Sequence, residues 1–238
     1  MTGPEGGGGG GRNPREEPIP ITADMLAGGA TGSRGSRIDF ERGMRHAPPL
    51  ILFLIAANLA MFAWEVSAGA LADQDAIVEA GALVRDRVLA GEWWRLVSAM
   101  FLHGSVDHIL GNVIVLYIVG LACEHAFGGA RTVLVYFASG AAGALVSMAA
   151  GPGPSVGASG AIFGVIAAVV VVLYRHQDRF YVRDKRIGFV LAVWAGWQIL
   201  TGLANPLIDN FAHLGGLAGG ALATLPLRPR LLPAGPQG

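Results

Sequence analysis

Ser159 is the residue best suited to chemistry, and it lies in residues 157–164 at the start of a long apolar run. A hydroxyl in the first turn of a helix lies beside unpaired backbone N–H groups and the positive end of the helix dipole, which stabilise an alkoxide or an oxyanion. Gly160 and Gly164 also form a small-xxx-small pair, and most such pairs only pack helices together. These residues alone therefore favour a nucleophile and a packing contact about equally.

His213 is the candidate base for this hydroxyl. A serine is a poor nucleophile until a base takes its proton, and the usual base is a histidine within about 3 Å. Two overlapping small-xxx-small pairs around His213 let its helix press against the helix of Ser159. The alternative is a histidine that only bonds between helices, although ionisable residues inside a membrane are usually functional. Asp209 fits a helix cap better than a partner of the imidazole, so we expect a dyad rather than a triad.

His108 and Asn112 are four residues apart and therefore share one helix face. Both side chains can donate a hydrogen bond to a developing oxyanion, in addition to the backbone N–H of Ser159. A polar clamp between helices is the alternative interpretation. His103 fits a structural or interfacial position.

Other hydrolytic chemistries lack their residues. The sequence has no H-E-x-x-H zinc motif, and no aspartate lies within the apolar runs, so a paired-carboxylate mechanism is excluded. Cys123 is the only cysteine, which excludes an intramolecular disulfide and a cysteine-based zinc site. The apolar residues around Cys123 indicate that its side chain is buried and only packs in the core. We expect no metal and no cofactor.

The composition predicts a membrane protein. The 238 residues are 53% hydrophobic and 14% charged, with a mean hydropathy of +0.50, which is too apolar for an ordinary soluble domain. Zero net charge and scattered basic residues give no argument for nucleic-acid binding. Six apolar runs are close to the ~20 residues that cross a bilayer. The predicted spans are residues 48–71, 108–123, 132–150, 158–174, 187–204 and 211–227.

Basic residues predict the orientation of these spans. Twelve of them lie in one alternating set of segments, namely Arg34, Arg37, Arg42, Arg45, Arg131, Arg175, Arg179, Arg183, Lys185, Arg186, Arg228 and Arg230. The opposite set has only Arg85, Arg87 and Arg95, all in the first connection. By the positive-inside rule, both termini are cytoplasmic. This orientation puts the four candidate site residues at one level near the outer face, which unrelated packing residues would have no reason to share.

Two connections carry further signals. Residues 72–107 are too long for a turn, and Trp93, Trp94 and Arg95 are best explained as an interfacial segment, with indoles at headgroup depth and Arg95 snorkelling to water. Residues 151–156 are rich in glycine and proline and cannot be helical. Irregular backbone at that depth requires protein or a water-filled cavity beside it, and hydrolysis needs such water.

These residues together resemble the motifs of the rhomboid intramembrane serine proteases. The matching motifs are Trp94-Arg95, His108 with Asn112, Gly157-x-Ser159-Gly160-x-x-Phe163-Gly164, and Ala212-His213-x-x-Gly216-x-x-x-Gly220. Their order and placement cover nearly all of residues 48–227. Each motif alone is weak, whereas the combination is highly specific.

The resemblance implies an all-α membrane protein, a six-transmembrane-helix bundle with a water-accessible cavity that opens outward. It implies Ser159 as nucleophile, His213 as general base, and His108 with Asn112 as the groups that bind the oxyanion. Phe163 falls where the family places an aromatic residue against the imidazole. The matching acid at the inner end of the second span, Glu124, is implied to be structural.

The expected domain organisation has three parts. Residues 1–46 form a disordered Gly-rich cytoplasmic tail, residues 47–228 form the six-helix protease domain, and residues 229–238 form a short cytoplasmic tail. The bacterial six-span form that the chain resembles implies a multi-pass protein of the inner cell membrane.

The expected function is that of an intramembrane serine endopeptidase, which cleaves the transmembrane segments of membrane-protein substrates with a Ser–His dyad. Its expected partners are those substrates and the lipid bilayer, with no nucleic acid and no obligate protein partner. A rhomboid-like protein that binds transmembrane clients without cleaving them is the alternative, but such a protein would be expected to lack the serine or the histidine. A small transporter is disfavoured because no two halves of the sequence repeat each other.

Overall fold

The structure is a computed structural model that describes residues 1–3, 37–151, 153–205 and 207–232. The chain divides into two compact units, Met1–Ser36 and Arg37–Gly238. Most of the predicted disordered tail, residues 4–36, lies outside the described residues, and so do residues 233–238 of the predicted C-terminal tail. The helices and the candidate site all belong to the second unit.

The described residues form nine helices, and no strand beyond two isolated bridges. In chain order they are α1 Pro49–Ala68, α2 Gln74–Ala80, α3 Arg85–Leu89, α4 Arg95–Ser98, α5 Val106–Phe127, α6 Gly129–Ala150, α7 Ser159–Arg175, α8 Val182–Leu203 and α9 Asn210–Thr224. The short helices α2, α3 and α4 all lie in the predicted first connection. The predicted all-helical architecture is confirmed for the part of the chain that the structure describes.

Four of these helices, α1, α5, α6 and α8, are long and apolar enough to cross a membrane. Helix α7 is apolar but has 17 residues, and α9 has 15. At ~1.5 Å per residue, α7 reaches only about 26 Å, which is less than the ~30 Å of a hydrocarbon core. The chain is thus a multi-pass membrane bundle, while the count of six spans stays a prediction.

Helix α7 is the central helix of the bundle. It packs against α5, α6, α8 and α9, and its buried residues lie on all sides of the helix. A helix that is apolar all round is stable only when neighbours surround it, and 12 of its 17 residues are buried. Because neighbouring helices rather than lipid cover α7, it need not extend through the full thickness of the membrane.

Helices α7 and α9 approach each other through glycine. A Cβ on Gly216 would overlap the carbonyl oxygen of Gly160, and a Cβ on Gly220 would overlap the backbone of Gly164. Neither position therefore has room for even a methyl group. The prediction that the two glycine-rich faces meet is confirmed, and this contact brings the N-terminal ends of the two helices together.

Several helix ends differ from the predicted spans. Helix α5 begins two residues before His108, because the Ser105 side chain accepts a hydrogen bond from the His108 backbone N–H at 3.2 Å. Helix α8 begins at Val182, five residues before the predicted span. The reason is Asp184, whose buried carboxylate accepts from the backbone N–H groups of Tyr181 at 3.1 Å and Phe40 at 3.3 Å. Polar caps thus extend the helices beyond their apolar runs.

The prediction that Arg95 snorkels to water is wrong. Its side chain is 2% exposed, and its guanidinium donates to the carbonyl oxygens of Val78 at 2.5 Å and Ala82 at 2.9 Å and to the Glu92 carboxylate at 2.6 Å. The ion pair lowers the pKa of Glu92. Because the folded connection supplies these acceptors, the buried guanidinium is stabilised without contact with bulk water. The same hydrogen bonds link α4, which contains Arg95, to α2.

Glu124, near the C-terminal end of α5, joins that helix to α1. Its carboxylate accepts a hydrogen bond from the backbone N–H of Ile51, in the first turn of α1, at 3.1 Å. An acceptor with negative charge at a helix N-terminus satisfies an unpaired donor and complements the helix dipole. Cys123, the residue before it, is fully buried, as the sequence predicted.

Candidate active site

Ser159 is the first residue of α7, and the irregular segment before it is fixed to the first connection. Ser155 and Leu83 exchange two backbone hydrogen bonds, at 2.9 and 3.0 Å, and the backbone N–H of Gly157 donates to Ala99 at 2.8 Å. Gly157 has a φ of +123°, a conformation that favours glycine. The chain therefore turns into α7 at a defined place and holds the Ser159 side chain at the end of the helix.

The Ser159 hydroxyl contacts the His213 imidazole. His213 Nε2 lies 2.9 Å from Ser159 Oγ, although 54 residues separate the two in the chain. The sequence predicted this proximity from the two glycine-rich faces. His213 is in the first turn of α9 and is buried, whereas Ser159 is partly exposed. The distance suits transfer of the hydroxyl proton to Nε2.

Phe163 holds the plane of the imidazole. The two rings are stacked, with centroids 4.1 Å apart and an interplanar angle of 8°. Phe163 is four residues after Ser159, so it lies one turn further along the same face of α7. The stacking partner that the resemblance implied is present, and it needs no hydroxyl to make this contact.

No carboxylate pairs with the imidazole among the described residues. Asp209 accepts from the backbone N–H of Ala212 at 2.9 Å and from the hydroxyl of Ser147 at 2.5 Å, which occupies its side chain as a cap of α9. His213 Nδ1 is buried and has no hydrogen-bond partner in the described part of the chain. Stacking on Phe163 therefore orients the ring in place of a carboxylate, and the preference for Asp209 as a cap is confirmed.

His108 and Asn112 pack against Gly157, two residues before Ser159. A Cβ built on Gly157 would lie 2.7 Å from the His108 ring and 3.5 Å from Asn112 Nδ2, so both side chains lie directly against this glycine. Asn112 Nδ2 is buried and has no partner among the described residues. An unpaired buried donor is costly, and a negatively charged oxygen beside Gly157 would satisfy it.

A small cavity of about 30 Å³ lies beside the pair. Its wall includes Gly157, Gly160 and Ala212, the close chain neighbours of Ser159 and His213. A cavity of this volume has room for about two water molecules. Water is the reactant that would release an acyl group from a serine.

No group of three or more histidine, cysteine or acidic side chains that could hold a metal ion occurs within the described residues. The arrangement is instead one of acid–base chemistry, with a hydroxyl beside an imidazole and hydrogen-bond donors around a helix N-terminus. These are the parts that acyl transfer requires.

Comparisons with known proteins identify the family of this chain. The sequence-family model of the rhomboid domain matches residues 90–230, which include every residue of the candidate site. The chain belongs to the rhomboid family. Rhomboid protease GluP of Bacillus subtilis is 35% identical over 176 residues, which cover 74% of this chain and 34% of the relative.

Two further rhomboid relatives differ in coverage. RHOMBOID-like protein 4 of Arabidopsis thaliana is 36% identical over 143 residues, covering 58% of this chain and 35% of that protein. Rhomboid protease AarA of Providencia stuartii is 28% identical over 205 residues, covering 74% of this chain and 71% of that protein. The chain spans about a third of the length of GluP and of RHOMBOID-like protein 4.

Sequence reasoning missed two buried polar residues of this rhomboid, Ser147 and Glu65. Ser147 donates a hydrogen bond to Asp209, the cap of α9, and Glu65 is a fully buried carboxyl in the last turn of α1. Neither lies in a motif. The one available signal for Glu65 was its place as a lone acid in an apolar run, which marks a buried polar contact by default.

Proposed function

We propose that this chain is an intramembrane serine endopeptidase that cleaves transmembrane segments of other membrane proteins near the outer face. The observation that carries the proposal is the 2.9 Å contact between His213 Nε2 and Ser159 Oγ. Membership of a family whose relatives are named rhomboid proteases supports the same reaction. Ser159 and His213 form the catalytic dyad of the proposal.

The reaction begins when the Ser159 oxygen attacks the carbonyl carbon of the scissile peptide bond. His213 Nε2 takes the hydroxyl proton, and the C–N bond breaks as the imidazolium returns that proton to the leaving amine. A water molecule then attacks the acyl-enzyme, gives a proton to Nε2 and releases the carboxylate with the serine regenerated. The cavity beside Gly160 and Ala212 is a source for that water.

The oxyanion of each tetrahedral intermediate is bound by His108, Asn112 and the backbone N–H of Ser159. That N–H belongs to the first turn of α7, where backbone donors lack a helical partner and the helix dipole favours negative charge. Asn112 Nδ2 contributes a donor that has no protein partner in the described part of the chain. Each such donor is worth roughly 10²- to 10³-fold in rate.

Substrates are membrane-spanning segments with a weak helix near the cleavage site. A peptide bond within an intact helix is shielded by the surrounding turns, so a substrate must unwind locally before its carbonyl reaches Ser159. Small and helix-breaking residues near the scissile bond lower the cost of that unwinding. The lipid bilayer presents the substrate, and the mechanism uses neither a cofactor nor an obligate protein partner.

The proposed topology has six spans, with α7 and α9 as the two short ones and both termini in the cytoplasm. The asymmetry of basic residues across the connections supports this orientation. Residues 1–46 and 229–238 are then cytoplasmic tails that flank a protease domain at residues 47–228, in the inner membrane of a bacterial cell.

The test is cleavage of a single-span substrate by the full chain in liposomes, comparing the wild type with Ser159→Ala and His213→Ala. We expect cleavage at one bond near the outer end of the substrate span, which gives two fragments, and activity reduced at least about 10³-fold in both variants. Binding of the substrate without cleavage by the wild type would support the client-binding alternative. Cleavage that survives Ser159→Ala would refute the proposal.

A further inference from the structure

Glu65 is a buried carboxyl that the proposed mechanism does not use. It lies in the last turn of α1, has no exposed surface, and accepts a hydrogen bond through Oε1 from the backbone N–H of His103 at 2.8 Å. Its other oxygen is buried without a hydrogen-bond partner in the described part of the chain. Burying a carboxyl without a full set of hydrogen bonds costs free energy, and ionisable residues retained at such positions are usually functional.

The residue that Glu65 holds, His103, is itself fully buried. Its Nδ1 lies 3.1 Å from the carbonyl oxygen of Phe101. Since a carbonyl can only accept, Nδ1 carries the proton, and in the neutral ring Nε2 keeps its lone pair. Burial, and next the neighbouring His108, lower the pKa of His103 to about 4, so the ring is uncharged at neutral pH.

The segment that contains His103 contacts His108 in two ways. The rings of His103 and His108 meet edge to face, with centroids 5.1 Å apart at an angle of 66°. Ser105, two residues further on, accepts a hydrogen bond from the backbone N–H of His108 at 3.2 Å. Both the backbone and the ring of His108 are therefore constrained from one side, while its far edge lies against Gly157.

We propose that Glu65 and His103 are positioning residues that hold the His108 imidazole toward the oxyanion. Glu65 fixes the backbone at position 103, the ring of His103 limits rotation of the His108 ring, and His108 then presents its N–H beside Gly157 with little freedom to turn away. The proposal rests on the proposed function, because His108 has an oxyanion to meet only if Ser159 attacks a carbonyl.

The alternative is that Glu65 only ties α1 to the segment between α4 and α5. In that case, loss of the contact would destabilise the fold without acting through His108 in particular. The two cases differ in how substitutions combine. A residue that acts through His108 has no further effect once the His108 ring is gone, whereas an independent structural residue adds its own loss.

The first test is a kinetic double-mutant cycle on the full chain in liposomes. We expect His103→Ala to lower kcat by about 10- to 100-fold with KM unchanged, since small misplacements of a catalytic group have effects of this size. His103→Ala combined with His108→Ala should be no slower than His108→Ala alone. Losses that multiply in the double variant would overturn the proposal.

Conservative variants separate the contacts involved. His103→Phe keeps a ring against His108 and should stay within about threefold of the wild type, and Glu65→Gln keeps an acceptor for the backbone N–H and should do the same. Glu65→Leu removes the acceptor and should resemble His103→Ala. The matched control is Asn58→Ala, a buried polar residue of α1 that bonds within its own helix to Leu54 at 2.7 Å. A loss in this control equal to that of Glu65→Leu would contradict the proposal.

The second test does not depend on proteolysis. Ring nitrogen signals of the six histidines are recorded with histidine-selective ¹⁵N labelling, and the His108→Ala spectrum identifies the His108 signal. We expect His103→Ala to shift or broaden that signal and Asn58→Ala to leave it in place. An unchanged His108 signal in His103→Ala would overturn the proposal. If the signal responds but the wild type cleaves nothing, the proposed function fails while the positioning contact stands.

Discussion

At the scale of single residues, the site depends on how one imidazole is held. His213 has Ser159 at one ring nitrogen and the ring of Phe163 against its face. A triad would restrain the ring through a hydrogen bond to Nδ1, whereas here the restraint is an aromatic stack. Stacking fixes the plane of the ring but still allows the ring to move within that plane. Close packing between α7 and α9 must therefore limit this in-plane movement.

Phe163 is therefore expected to affect catalysis through ring orientation. Phe163→Leu fills a similar volume but removes the aromatic face, and we expect kcat for a single-span substrate to fall about 10-fold while KM changes little. Phe163→Tyr keeps the stack and should stay within about threefold of the wild type. Equal kcat values for the two variants would contradict the stacking role.

At the scale of secondary-structure elements, the glycine contact between α7 and α9 decides whether the two side chains meet. The carbonyl oxygen of Gly160 lies where a Cβ on Gly216 would be, and Gly160 directly follows Ser159. Any side chain at position 216 must therefore push the helices apart close to the site. The separation of the helices, rather than the identity of the two polar residues alone, sets the distance between hydroxyl and imidazole.

Gly216→Ala is expected to separate α9 from α7 and to lengthen the contact between Ser159 and His213. We expect kcat to fall about 100-fold, and the free energy of unfolding to decrease by about 1 to 3 kcal/mol because the helix interface is overpacked. The matched control is Gly196→Ala in α8, where an added Cβ would meet nothing within 4 Å. Kinetic assays and thermal unfolding of both variants check this, and wild-type activity in Gly216→Ala would contradict it.

The helices and their meeting faces could be predicted because their signals are local. Apolar runs mark the helices, and small residues four apart mark the faces, so the neighbourhood of Ser159 and His213 followed from the sequence. The buried environment of Arg95 could not be predicted, because the carbonyl oxygens of Val78 and Ala82 come together around its guanidinium only after α2 and α4 fold together. Glu65 was missed for the same reason, since its partner is 38 residues away.

At the scale of the whole molecule, the account requires the site to face the outside of the cell. Ser159 and His213 both lie at helix N-termini, so α7 and α9 must run in the same direction through the bilayer. The basic residues between α7 and α8 and beyond α9 then lie in the cytoplasm. The proposed orientation also puts the first connection, with its exposed Trp93 and Trp94, on the outer side.

This topology predicts which surface positions a membrane-impermeant maleimide can reach from outside. Cys123 is fully buried, so an introduced cysteine is the only thiol expected to react in single variants. Gln74→Cys, exposed at the start of α2, should be labelled on intact cells, and Gln177→Cys, exposed after α7, should be labelled only after the membrane is broken. The reverse pattern would contradict the proposed orientation.

The central claim, that Ser159 is a nucleophile activated by His213, is tested most directly by covalent labelling with a fluorophosphonate, read by mass spectrometry of the intact protein and its peptides. The account predicts one adduct per chain, located on Ser159, no adduct in Ser159→Ala, and labelling at least about 10³-fold slower in His213→Ala. An adduct on another residue, or a His213→Ala variant that reacts at the wild-type rate, would contradict it.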